Sequence, residues 1–191
     1  MPIPDDDIDG IDGIDVDVDD LDADLLLALA DEEQAPSGVL QALLTAVAGP
    51  WWAPFVRRAA GLLDLDTATT RDLFVGIADG DRWMPGPGDG IDLFHIDGGP
   101  AVAGAITGFV RLAPGATFPH HRHIGFEDVL VLQGSFFHAG TEIHAGMEAP
   151  MPPSSSHENR AGVGGCVYLA VSRDGLAFDG EEPIGPDDPR A

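Results

Sequence analysis

The sequence predicts a mainly β protein, a small barrel in the C-terminal half preceded by an acidic arm and a short helical segment. Three observations carry this. Beyond residue 90 the chain breaks into short extended runs separated by Gly, Pro and Asp, the pattern of a sandwich or barrel. Between about residues 21 and 83 apolar residues recur at helical spacing. Ahead of them, aspartate dominates. The expected boundaries are an arm over 1–22, helices over 23–83, the barrel over 84–180 and a tail over 181–191.

The arm alternates aspartate with isoleucine, valine and glycine from Asp5 to Asp22. Like charges at this density repel and glycine adds chain entropy, so a mobile arm is expected. Asp15, Asp17 and Asp19 have the spacing of a calcium loop. Asp20 stands where that loop needs glycine, however, and Leu26 where it needs glutamate. Helical stripes follow: Leu21, Leu25, Leu26 and Leu29; then Val39, Leu40, Leu43, Leu44 and Val47. A third helix over about 51–63 groups Trp52, Phe55, Val56, Ala59 and Leu63. A fourth starts at the Asp66-Thr67 cap and carries Leu73, Phe74 and Ile77. The tryptophans Trp51, Trp52 and Trp83 are expected to pack these helices onto the barrel. The run from Met84 to Gly90 is a turn or linker. Strands are expected over 91–96, 101–112, 127–132, 135–138, 148–151 and 166–172.

Composition narrows the partners. The 191 residues carry 33 acidic and 9 basic side chains, all nine of them arginine, for a formal net charge of −24. That field repels phosphate backbones and anionic headgroups, so neither nucleic acid nor a membrane surface is an expected partner. No apolar run approaches the roughly 20 residues that cross a bilayer, and a cytoplasmic setting is expected. The one cysteine, Cys166, cannot form an internal disulfide and reads as a buried apolar side chain.

The chemistry concentrates between Gly115 and His157. His121 and His123 alternate, so on a strand both imidazoles face one side. Glu127 follows across the Ile124-Gly125 turn and can reach the same space. Further on, a proline-stiffened loop, Pro152-Pro153-Ser154-Ser155-Ser156, presents His157. Imidazoles and a carboxylate meeting on adjacent β elements suit one divalent transition metal such as zinc, iron, nickel, manganese or copper. His120 should face away from the pair, and His138 and His144 should lie on the rim or in solvent. His95 reads as a strand residue outside the site. Phe118, Phe126, Phe136 and Met151 are candidates for the barrel lining.

These two blocks resemble the paired motifs of the cupin superfamily. Gly115, His121, His123, Glu127 and Gly134 satisfy every position of the first motif. Gly146, Pro152 and His157 match the second, in which Ser154 replaces a turn glycine and Ala161 an asparagine. The resemblance implies a double-stranded β-helix, or jelly-roll, barrel. The wording of Val110–His123, Val129–Phe136 and Pro152–His157 is similar to the cupin domain of ChrR-type anti-sigma factors. It implies a regulatory or sensing cupin with a sigma-factor-like partner held by the helical segment. A small ligand in the barrel and a homodimer are further expectations. The zinc-binding module of such regulators needs a His and Cys cluster, and neither residue occurs before Ile91, so that zinc site is not expected. The alternatives are a small metal-dependent enzyme such as a dioxygenase, or a barrel whose metal only holds strands together. No catalytic acid or base stands out.

Overall fold

Apolar alternation along two long strands organises the molecule. The structure, a computed structural model, describes residues 49–188. The acidic arm, its calcium-like spacing and the first two helical stripes lie outside the described residues. From Trp52 onward the chain forms one compact unit. A 3-10 turn (Ala53–Phe55) leads into α1 (Val56–Leu63), which is followed by α2 (Thr67–Gly76). Then come β1 (Met84–Pro85), β2 (Ile91–His95), β3 (Ala105–Leu112), β4 (Thr117–His123) and β5 (Glu127–His138). The remaining strands are β6 (Thr141–His144), β7 (Glu148–Met151), β8 (Ser156–Arg173) and β9 (Leu176–Phe178).

All pairings are antiparallel, in the order β1-β2-β3-β8-β4-β9, with β5 pairing β6, β7 and β8. The 18-residue β8 ties the sheet together. Its first part pairs with β4, with His121 opposite His157, and its second part with β3. Strand β5 runs along its other edge with two register shifts, and the sheet curls there. Gly134 lies at one of these shifts with φ +68, and a Cβ on it would sit 2.1 Å from the Gly165 carbonyl oxygen. Only glycine fits that approach.

The two faces of β5 and β8 separate two cores. Leu130, Leu132, Leu169 and Val171 face outward against Val56, Ala59, Leu63 and Phe74 of the helices. Val129, Val131, Cys166 and Tyr168 face inward with Phe118, Phe136, Met151 and Ala161. Helix α1 buries Val56, Ala59, Ala60 and Leu63, the i, i+3, i+4 and i+7 positions. Helix α2 starts where the cap was expected: the Asp66 carboxylate accepts from the Thr69 amide at 2.8 Å. Trp52 stacks on Phe74 at 5.5 Å, and Trp83 meets Phe94 edge-on at 5.8 Å while donating to the Ile77 carbonyl. Trp51 is exposed instead of packed. Arg58 of α1 holds Glu148 at the start of β7, and also the Gly146 carbonyl.

Strand length is where the sequence reading fell short. The runs expected over 127–132 and 135–138 are one strand, because Gly134 bends the chain without ending it. The strand expected over 166–172 begins ten residues earlier, at Ser156. Within residues 181–188, Ile184 is buried and bridges to Leu176.

Candidate metal centre

Each of the four predicted residues is placed by its strand. On β4 the burial alternates, so His121 and His123 point inward while His120 and Arg122 are exposed. Glu127 opens β5 and points inward. The preceding residue, Phe126, therefore points out and is 55% exposed, so it does not line the barrel. His157 is the second residue of β8 and not part of a loop. The proline turn is complete by Ser155, since Ser154 takes up the left-handed conformation (φ +65) at the position where the motif has glycine.

The structure brings the four together. His121 Nε2 and His123 Nε2 lie 3.0 Å apart, and His157 Nε2 is 3.1 Å from each. Glu127 Oε2 is 3.4 Å from His123 Nε2. One ligand atom from each residue falls within 4.8 Å of the others. His121, His123 and Glu127 are buried, and His157 is nearly so.

The other ring nitrogens decide what the converging ones carry. His121 Nδ1 donates to the Pro119 carbonyl at 2.8 Å. His123 Nδ1 lies 3.3 Å from Ser155 Oγ, whose own hydrogen goes to the Pro152 carbonyl. His157 Nδ1 meets His138 Nδ1 at 2.6 Å. A neutral imidazole has one N–H, so these partners leave the Nε2 atoms of His121 and His123 as lone pairs aimed at one point. His157 presents the same face when it donates to His138. Lone pairs at 3 Å repel unless a cation lies between them, and this donor set fits a divalent ion. At bonds of about 2.1 Å a right angle spans about 3.0 Å and a tetrahedral angle about 3.4 Å, so the imidazole triangle matches near-right angles.

Burial pushes the His123 imidazole down to about 4 and His157 down to about 3, with the charges of neighbouring imidazoles adding to the effect. It lowers His121 as well. These rings stay neutral and free to ligate. Burial, with a smaller push from Asp128, raises the Glu127 carboxyl to about 7, a cost that a bound cation would remove. Burial and the nearby Glu127 charge hold the Tyr168 phenol protonated. The Cys166 thiol, buried as expected, is pushed up to about 12 and stays inert.

A cavity of about 690 Å³ reaches this cluster at His121 and Glu127. Phe118, Asn159 and Tyr168 line its inner end, and exposed His95, His120, Asp179 and Glu181 stand at its rim. His120 faces away from the cluster and pairs with Asp179 at 3.0 Å. His144 is exposed, near Glu142. Glu148 is exposed and engaged by Arg58.

The family model described as the ChrR cupin-like domain matches residues 72–174. The chain belongs to that family. This ChrR-like cupin is similar in fold to a chain in the crystal structure of Rhodobacter sphaeroides SigE with the anti-sigma ChrR. The identity is 24%, covering 78% of this chain and 75% of that one, with a TM-score of 0.50. It is also similar to an acetylacetone dioxygenase from Acinetobacter johnsonii, at 16% identity over 58% of this chain and 83% of that one, with a TM-score of 0.51. No curated protein matches the chain. The resemblance read from the two motifs is thus confirmed at the level of family and fold.

Two residues of the ChrR-like cupin's site were missed in the sequence. His138, expected at the rim or in solvent, is half-buried against His157. Only the long register of β5 against β8 places it there, so no local signal marked it. Asn159 was legible: it stands two residues past His157, on the same face of the strand.

Proposed function

We propose that the ChrR-like cupin is a regulatory protein built round one divalent transition metal, zinc, iron, nickel or manganese, held by His121, His123, Glu127 and His157. The ion would supply Lewis acidity and open positions for a small ligand. The chain's own residues keep the three imidazoles neutral and orient them through Pro119, Ser155 and His138. The helical segment ahead of Met84 would hold a protein partner of the sigma-factor kind. With no histidine or cysteine before Ile91, that contact would use apolar and acidic surface in place of a zinc site. A homodimer and a cytoplasmic setting complete the proposal. Among the described residues, no helix is long and apolar enough to cross a membrane.

One observation carries this reading. Strand β5 bears Glu127 on its inner face and, on its outer face, Leu130 and Leu132, which belong to the core that α1 and α2 share with the sheet. A change in how Glu127 is held would therefore act on a strand whose outer face shares a core with the helices. Elemental analysis of the purified full chain, with capture of partners from a host extract on wild type and His121→Ala, tests it. The expected results are one metal per chain, lost in the variant, and a sigma factor whose retention differs between the two. Capture of no sigma factor overturns the regulatory role, and a metal-free wild type overturns the centre itself.

The cavity beside His121 and Glu127 favours a second reading, a small metal-dependent enzyme such as a dioxygenase. It predicts oxygen uptake by the iron-loaded chain that disappears in His121→Ala.

A further inference from the structure

Asn159 is the anomaly of the barrel interior. The residue is 2% exposed, yet its Oδ1 is a buried polar atom with no hydrogen-bond partner, the one such side-chain atom among the described residues. Buried amides are ordinarily satisfied, because enclosing one unpaired forfeits its bonds to water. The sequence offers an easy remedy in any apolar residue of similar size, which would pack against Phe118 across the β4–β8 pairing. The amide instead lines the cavity together with His121, Glu127, Phe118 and Tyr168. Along β8, His157, Asn159 and Ala161 share one face, so this asparagine stands one pleat nearer the histidine than the position where the second motif has its own.

The walls limit what can meet it. Phe118, Phe178, Leu93 and Val110 give the cavity an apolar lining, and about 690 Å³ accommodates a ligand of roughly drug size or smaller. Asp179 and Glu181 stand at the rim of a chain whose net charge is −24, which disfavours entry of anions.

We propose that Asn159 is the recognition residue of a ligand site in this cavity, and that the ligand is an uncharged small molecule with an apolar body and a hydroxyl- or carboxamide-type head. The amide of Asn159 pairs with that head, and the apolar body lies against Phe118 and Phe178. This rests on the metal-centre reading only for the ligand's neighbourhood, since the amide and the walls belong to the barrel itself.

Benzamide and benzoate, uncharged and anionic versions of one shape, test it by NMR titration of the purified full chain and of Asn159→Leu, with metal content measured alongside. Benzamide is expected to bind wild type at least tenfold more tightly than benzoate does, and Asn159→Leu to weaken benzamide at least tenfold without changing metal content. The ligand-free variant is expected to melt at a higher temperature than wild type, because the buried, unpaired Oδ1 has been removed. A merely structural asparagine would give the opposite shift. Benzamide bound equally by both proteins, benzoate bound as well as benzamide with the same dependence on Asn159, or a lower melting temperature for the variant overturns the proposal. Asparagine-dependent binding in a chain without metal would leave this inference standing while the metal reading falls.

Discussion

His138 Nδ1 lies 2.6 Å from His157 Nδ1, so two imidazoles on the adjacent strands β5 and β8 share a single hydrogen. When His157 is the donor, its Nε2 is a lone pair facing His121 and His123. The partner that fixes a ligating histidine's tautomer typically accounts for about 10–100-fold in metal affinity. His138→Ala should therefore retain the fold and bind metal about 10–100-fold more weakly, as read by competition with a chromogenic chelator. Unchanged affinity would show that His157 needs no orienting partner.

Acid should destabilise the metal-free protein. His157 and His123 are held at about 3 and about 4, below the ordinary 6.5, so the unfolded chain takes up protons that the folded one refuses. As pH falls from 6.5 towards 4, these groups favour unfolding. Glu127, raised to about 7 from 4.5, acts oppositely: folded, it holds a proton that the unfolded chain has released between those values. Two histidines outweigh one carboxyl, and His121 is shifted in the same direction as they are. The thermal midpoint at pH 4.5 should lie below that at pH 6.5. A flat or inverted profile would contradict the burial of these rings.

Phe74 joins the helices to the barrel. Fully buried, it stacks on Trp52 and lies 5.1 Å from Phe109 of β3. Phe74→Ala should cost about 3–5 kcal/mol, read as a shift in the urea midpoint. A loss under 1 kcal/mol would mean that the helices contribute little to the stability of the barrel.

Two glycines should respond in opposite senses. Gly134→Ala sets a Cβ against the Gly165 carbonyl at positive φ, and should destabilise by at least about 2 kcal/mol. Gly61 lies mid-helix in α1, exposed, with nothing within 4 Å of an added Cβ. Gly61→Ala should stabilise by about 0.5–1 kcal/mol. Chemical denaturation of both variants checks the pair.

The His121–His123 pair could be read from spacing alone, because the two stand two residues apart on one strand, whereas Glu127 and His157, on other strands, were marked by the motif blocks. Alternation put His121 and His123 on one face and turned His120 outward. Asp66, with an amide donor three residues ahead, announced the start of α2. Misreadings arose where a strand bends. Gly134 reads locally as a stop, yet the chain continues through it because β8 supplies hydrogen bonds on both sides of the bend. His157, after three serines and two prolines, reads as a loop residue until β4 is found opposite it.

The composition and the two motif blocks by themselves determined the fold class, the family, the acidic character and the identity of the four converging side chains. Each of these depends on residue type and local period, which the chain carries at every point. Only the tertiary structure decided that His138 supports His157, that Asn159 is enclosed with its Oδ1 unpaired, and that the reverse side of the Glu127 strand shares a core with the helices. Those three facts depend on the register between strands far apart in sequence. Register is set by the whole packed sheet, since a slip of one residue would turn every side chain to the opposite face.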